Sequence, residues 1–505
     1  MSDVIWTGFA SVLTLQALAL NFFGVVVGIV FGVIPGLSAA TAIALFLPIT
    51  FGMEPVVAIA LMMGLYIGAS SGGFIAAILL NIPGKPSAVA TTFDGYPLAR
   101  DGQAGRALGA SVVFSFIGGL ISMFAMLFIA PPLSDLAMRF GPIEYFAATF
   151  AALMLLGSLT GDSLVKGLLA GLIGLMLALV GSAPIDYTPR FDFGFYQLSE
   201  GFPQLAVLVG MFAITEVVKA ARGDPAEAAA RPLAFRMRGF GISLKETVEQ
   251  MPNAIRSSVI GIFIGILPAL GGTAASLVAY TAAKNASKEP QKFGKGSMHG
   301  LVASETANNA VIGGDMIPLL TLGIPGDVVT ALLLGALTLH GLTPGPLLLK
   351  THGDLLYAIF AALMIANAMM LIVQFFGIRL FVKLLVIRRY YLFPIIVAMC
   401  AVGAYSANNV SFDVMVFGMF GLVGYLLSAA GFPFAPVIVG FILGPLLEIN
   451  LRRGLMLTDG NFLDFFRSPI ALVFFATAAL LVGATVRYRR KLAAQPALAA
   501  GATLR

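Results

Sequence analysis

Two groups of residues in this 505-residue chain have types and spacings suited to handling a charged solute. The first is a set of helix breaks inside apolar surroundings: Pro35-Gly36, Pro83-Gly84, Pro268-Ala269 and Pro325-Gly326. Pro and Gly are poor helix-interior residues, and irregular backbone at membrane depth survives only where protein buries it or it lines a cavity. Each break is followed by small or capping residues and a new apolar run, with restarts at Ser38 to Thr41, Ser87, Gly271-Gly272-Thr273 and Asp327 to Thr330. A restarting helix offers free backbone N–H groups and the positive end of its dipole, which suits an anion. Several such ends facing one another grip a carboxylate without any buried Arg or Lys. A Pro-Gly pair can also simply end a helix at a membrane surface; four breaks in a duplicated arrangement point instead to a site.

The substrate positions expected from the first copy are Ser38, Thr41, the run Ser70, Ser71, Gly72 and Gly73, and the break Asn81, Pro83 and Gly84. Those from the second copy are Thr273, Gly323, Pro325 and Gly326. The second group of chemical interest is Ser304-Glu305-Thr306-Ala307-Asn308-Asn309, followed by Gly313-Gly314-Asp315. On a helix, Glu305 shares a face with Asn308 and Asn309, and Asn308 with Asp315 two turns on. Amide and carboxylate oxygens in that pattern can coordinate Na+, and a carboxylate can carry a proton. Asn308, Asn309 and Asp315 are therefore the candidate cation or substrate ligands. Glu305 divides between that role and an ordinary helix start at a cytoplasmic surface.

The elements that hold these residues must cross a membrane. The chain is 59% hydrophobic and 11% charged, and residues 4–53 contain no Lys, Arg, Asp or Glu. Comparable charge-free runs recur at 55–84, 107–134, 257–283, 355–378, 390–412 and 414–447, each long enough for a span of roughly 20 residues. A water-soluble fold is excluded. The net charge of +6 does not indicate nucleic-acid binding, because Lys and Arg sit between apolar runs. The single cysteine, Cys400, excludes an internal disulfide and a cysteine metal cluster. The first basic residue is Lys85, so no cleavable signal peptide is expected.

Internal repetition organises the chain. Gly28 to Leu37 matches Gly261 to Leu270 at an offset of 233, and Ile82-Pro83-Gly84 matches Ile324-Pro325-Gly326 at an offset of 242. In the first copy the basic residues Lys85, Arg100 and Arg106 follow the second break; in the second copy Lys284, Lys288, Lys292 and Lys295 precede it. With basic loops on the cytoplasmic side, the two copies are inverted in the membrane. Segment 257–283 is too short for two spans and is expected to be a re-entrant hairpin broken at Pro268.

The expected fold is thus an all-α polytopic membrane protein with two inverted-topology repeats and re-entrant or broken helices. Its parts are a first membrane repeat at 1–218, a cytoplasmic linker at 219–256, a second repeat at 257–486 and a cytoplasmic tail at 487–505. Spans are expected at 107–130, 143–160, 167–183 and 203–218, with a polar loop from Lys85 to Arg106 that turns at Asp94-Gly95-Tyr96-Pro97; beyond the linker, apolar runs lie at 257–283, 301–324, 328–349, 355–382, 390–405, 414–430, 433–447 and 468–486. Gly24, Gly28 and Gly32, and Gly167 and Gly171, are small-residue stripes for helix packing. Asp162 with Lys166 and Glu216 with Lys219 are expected surface pairs. ATP-driven transport by this chain is excluded, since no phosphate-binding G-x-x-x-x-G-K-[ST] loop occurs. No nucleophile elbow or zincin helix occurs either, so an enzyme is not expected.

Gly32-Val33-Ile34-Pro35-Gly36, Gly68 to Gly73, Asn81-Ile82-Pro83-Gly84 and Asp94 to Ala99 resemble the large membrane subunit, TctA, of tripartite tricarboxylate transporters. Gly313 to Pro318 and Leu322 to Gly326 extend the resemblance through the second half. It implies a multi-pass permease of a bacterial inner (cytoplasmic) membrane, partnered by a small four-span membrane subunit (TctB-like) and a periplasmic solute-binding protein (TctC-like). It implies secondary active import of carboxylates, citrate-like tricarboxylates or related organic acids, without an organic cofactor and with Na+ or H+ as the coupling ion. A passive anion channel or an ion antiporter is the alternative, marked by a continuous polar pore. Pro268-Ala269 departs from the Pro-Gly of the first copy.

Overall fold

A computed structural model describes residues 2–159, 163–215, 217–218, 240–268, 270–385 and 392–493. The pairs Asp162–Lys166 and Glu216–Lys219, most of the expected linker and Ala269 lie wholly or partly outside these residues. The described chain is 81% helical with 19 helices, and seven of them are long and apolar enough to cross a membrane. It is an all-α polytopic membrane protein. Among the described residues, strand is confined to a two-residue antiparallel pairing, Gly181–Ser182 with Pro189–Arg190.

The chain forms two compact units. Residues 1–138 and 203–425 make the first, and residues 139–202 and 426–505 the second. Each draws on both sides of the 219–256 segment.

The first unit opens with α1 (Ser2–Val12), α2 (Leu15–Val33), α3 (Ala39–Phe46), α4 (Pro55–Leu80), α5 (Val89–Leu98) and α6 (Ala104–Ala137). In the second unit lie α7 (Pro142–Leu159) and α8 (Leu164–Ala178); α9 (Gln204–Val209) returns to the first. Beyond the linker come α10 (Leu244–Ile266), α11 (Gly271–Ala286), α12 (Met298–Leu322), α13 (Val328–Leu339), α14 (Leu348–Thr351), α15 (Gly353–Leu384), α16 (Leu392–Asn408) and α17 (Ser411–Ala429). The second unit is completed by α18 (Phe434–Leu457) and α19 (Pro469–Ala493).

Helices α4 and α12 form the centre of the first unit. Neither has an apolar stripe: α4 is buried from Val56 to Leu79 and α12 from Gly300 to Thr321. A helix apolar on all sides belongs in a core. Each is gripped by a preceding helix through glycines. A Cβ at Gly24, Gly28 or Gly32 of α2 would lie 2.5, 2.6 or 2.5 Å from the carbonyls of Leu61, Leu65 and Ala69 in α4. A Cβ at Gly261 or Gly265 of α10 would lie 2.6 or 2.7 Å from the carbonyls of Ala307 and Val311 in α12. Only glycine allows such backbone approach, so the α2 stripe is a packing seam. The seam recurs at the sequence offset of 233. Asn21 adds a polar tie, donating to the carbonyls of Ala60 at 2.9 Å and Ala362 at 3.1 Å, which joins α2, α4 and α15.

Two expectations are corrected. The polar loop from Lys85 to Arg106 is largely helical: Asp94 to Pro97 lie within α5, and a wide turn at Ala99–Gln103, with Gly102 at φ 79°, leads into α6. Asp94 makes no local turn because its Oδ1 accepts three distant backbone N–H groups, from Gly294 at 2.8 Å, Gly296 at 2.9 Å and Ser297 at 2.8 Å. The apolar run at 328–349 is helical only to Leu339, and the chain turns through Gly341 at φ 75°. Helix α10 begins at Leu244, within the segment expected to be linker, behind a capping box of Ser243 and Glu246.

In the second unit, Gly440 of α18 packs on the Gly171 carbonyl of α8, and a Cβ at Gly157 of α7 would lie 3.0 Å from the Gly167 carbonyl. Arg190 holds Glu448 through two bonds of 2.7 and 3.1 Å, and Arg452 reaches the same carboxylate at 2.8 Å.

Candidate functional site

The second break of each copy follows one of the two central helices, and both are built alike. Helix α4 ends at Asn81 in the left-handed region (φ 57°), and α12 ends at Gly323 in the same conformation (φ 70°). That conformation stops a helix, and Asn and Gly tolerate it best. Gly84 then packs under the first break, where a Cβ would lie 2.5 Å from the Gly32 carbonyl; at Gly326 it would lie 3.0 Å from the Gly265 carbonyl. The four glycines correspond across the two copies.

Side chains join the copies at this level. Asn308 of α12 donates from Nδ2 to the Ser70 carbonyl of α4 at 3.1 Å. Lys85, in the break after α4, donates to the same Ser70 carbonyl and to Asn308 Oδ1, the latter at 3.2 Å. The start of α11 closes on the group: Ser276 donates to the Ser87 carbonyl at 2.9 Å, and a Cβ at Gly272 would lie 3.0 Å from Asn308 Oδ1. Ser87, Gly272, Thr273 and Asp327 are partly exposed, as is Lys85.

Three carboxylates surround this joint. Glu305 is buried and accepts hydrogen bonds from the hydroxyls of Thr91 and Ser115, the latter at 3.3 Å. Asp315 is fully buried; its Oδ2 accepts from Tyr66 Oη at 3.3 Å, and its Oδ1 has no hydrogen-bond partner. Asp327 caps α13, accepting from Thr330 N and Oγ1 at 2.8 Å each. Asp327 acts electrostatically on Tyr66, Asp315 and Lys85, and Glu305 on Lys85. No group of three or more acidic, His or Cys side chains close enough to hold a metal ion occurs among the described residues.

The remaining expected positions divide. Ser38 caps α3, its Oγ accepting from Thr41 N at 3.3 Å and lying 3.1 Å from Thr41 Oγ1, so their hydrogen bonds stay within that cap. Ser71 faces α15 and donates to Gln374 Oε1 at 3.0 Å. Gly72 is a packing residue, where a Cβ would lie 2.6 Å from the Ile29 carbonyl, and Gly73 lies under the Lys85 stem. Asn81 is exposed at its cap, Pro83 partly exposed and Pro325 buried. Asn309 is buried, donates to the Glu305 carbonyl at 3.1 Å, and leaves Oδ1 without a partner.

Two expectations about chemistry change. The site does contain a basic side chain, Lys85, at the start of the segment expected to be a polar loop. Glu305 is no surface helix start; its surroundings are the hydroxyls of α5 and α6. A sequence signal for Lys85 existed. It follows Ile82-Pro83-Gly84 as Asp327 follows Ile324-Pro325-Gly326, at the same offset of 242. Asp94, Thr91 and Ser115 carried no such signal, because their partners are remote in the chain.

Comparison with known proteins agrees with this architecture. A family profile described as the tripartite tricarboxylate transporter TctA family matches residues 18–439. An uncharacterized 52.8 kDa protein of the TAR-I ttuC' 3' region of Agrobacterium vitis is 38% identical over 464 residues, covering 92% of each chain. An uncharacterized protein of the TAR-II ttuC' 3' region of the same organism is 43% identical over 211 residues, covering 42% of this chain and 87% of its own. No solved structure matches.

Proposed function

Because the chain belongs to the tripartite tricarboxylate transporter TctA family, we propose that it is the permease that imports a carboxylate, citrate-like or a related organic acid, on a cation gradient. Its role is transport, and it is a multi-pass membrane protein. The observation that carries the finer reading is the joint of Ser70, Lys85 and Asn308, where polar groups from both copies meet between the two central helices. The helix restarts beside it, at Ser87 and Gly272, supply backbone N–H groups suited to carboxylate oxygens.

Charge balance supports the coupling. Glu305, Asp315 and Asp327 set three carboxylates against the one ammonium of Lys85. Uncompensated charge in a membrane interior is costly, so protons or cations must accompany the ionised cluster. Asp315 and Asn309, each with a buried oxygen left without a partner, are the positions proposed to receive them. Inverted repeats would then move one bundle against another around the joint, giving alternating access. The proposed partners are a small four-span subunit and a periplasmic binding protein, and the proposed location is the bacterial inner membrane.

The test is uptake of a panel of labelled mono-, di- and tricarboxylates into proteoliposomes carrying the permease with both partners. Sodium and proton gradients are imposed separately. Uptake driven by one of them is expected. Uptake indifferent to both would refute coupling, and flux far above transporter turnover would favour a channel.

A further inference from the structure

At an offset of 242 the two copies pair Gly73 with Asp315 and Lys85 with Asp327. The duplicated scaffold therefore carries an ammonium in one break and carboxylates in the other. The stem of Lys85 lies across Gly73, where a Cβ would come within 2.8 Å of Lys85 Cγ. The bare backbone at Gly73 is what lets the side chain run back along α4 into the joint. There the ammonium meets two acceptors, the Ser70 carbonyl and Asn308 Oδ1, both neutral.

An ammonium has three donors, and the third has no hydrogen-bond acceptor among the described residues. No carboxylate makes an ion pair with it among those residues either. Glu305 and Asp327 act on it from a distance; both Glu305 oxygens are engaged by Thr91 and Ser115, and Asp327 Oδ1 by Thr330. The two groups that bond the ammonium are neutral, so no anion is in direct contact with it. Lys85 is also partly exposed, so that a solute can reach it.

We propose that Lys85 is the anion receptor of the permease, its ammonium pairing with a carboxylate of the transported solute between the two breaks. This rests on the carboxylate-permease reading. Asn308 and the Ser70 carbonyl aim the ammonium, and Gly73 gives it room. A side chain that served only to staple the break to α4 would need neither a charge nor partial exposure.

The test uses the full chain purified in detergent, with radiolabelled citrate, succinate and acetate as probes. Truncating one partner of a desolvated charge pair weakens binding by about thirtyfold or more. Lys85→Met is expected to show that loss for the carboxylate that binds wild type, while Lys85→Arg, which keeps the charge, stays within about tenfold. In parallel, acylation of Lys85 in the wild-type protein is followed by peptide mass spectrometry. The bound carboxylate is expected to protect Lys85 and leave Lys288 reactive. That measurement stands even if Lys85→Met does not fold. Unchanged affinity in Lys85→Met, or acylation of Lys85 indifferent to a carboxylate that binds, overturns the receptor and leaves the permease reading intact. Wild-type protein that binds none of the three probes and shows no protection overturns both.

Discussion

Truncation of Asn308 tests the joint between the two copies most directly. Asn308→Ala removes the 3.1 Å bond from Nδ2 to the Ser70 carbonyl and the 3.2 Å bond that Oδ1 accepts from Lys85. The first is a neutral pair, with a net contribution of about 1 kcal/mol; the second is charge-assisted, at about 1.5–3 kcal/mol. The expected loss is therefore about 2.5–4 kcal/mol, or two to three decades in the folding equilibrium. Asn308→Asp keeps an acceptor for the ammonium but sets an oxygen against the Ser70 carbonyl, so it falls between wild type and Asn308→Ala. The assay is unfolding of the purified protein in mixed micelles by titration with SDS, on wild type, Asn308→Ala, Lys85→Met and the double variant. A coupling energy of about 1.5–3 kcal/mol between the two positions is expected, and a value below about 0.5 would refute the joint as an energetic contact.

Four further predictions concern the surrounding framework. Gly84→Ala forces a Cβ to within 2.5 Å of the Gly32 carbonyl and 3.0 Å of the Gly73 Cα; it should destabilise by about 1–3 kcal/mol and abolish uptake. Gly418→Ala, with nothing within 4 Å of the added carbon, should be neutral in the same unfolding assay. Asp94→Ala strands the N–H groups of Gly294, Gly296 and Ser297, each at about 1–3 kcal/mol; hydrogen exchange of the 293–300 peptide should accelerate far more than in Asp94→Asn. At the start of α10, the Ser243 N–H, then its hydroxyl and Arg106, hold the Glu246 carboxyl below its ordinary value of 4.5. A depressed value means stabilisation that is full above pH 4.5 and lost as pH falls further. Exchange protection of residues 243–250 should thus drop on acidification, and Glu246→Gln should remove that dependence.

Much of the framework was legible in the chain. Charge-free runs require membrane burial, and the glycine stripe at Gly24, Gly28 and Gly32 announced a close helix seam because nothing larger fits one. The two Ile-Pro-Gly breaks marked where the central helices end. Less legible were the lengths of the elements. Asp94-Gly95-Tyr96-Pro97 has the composition of a turn, yet a bond network 200 residues away keeps it helical. The apolar run after Asp327 was long enough for a span, yet it breaks at His340-Gly341.

What the sequence by itself determined is the class of the protein and the positions of its breaks, since each follows from local hydropathy and backbone chemistry. What only the tertiary structure decided is which groups meet there. Local sequence marks Lys85 as a loop cation and Glu305 as a helix-start acid, because charge is ordinarily kept in water. Folding brings the Ser70 carbonyl and Asn308 amide to the one and the hydroxyls of Thr91 and Ser115 to the other, from 15 to 223 residues away. Those contacts make both side chains tolerable inside the unit, and no local pattern encodes them.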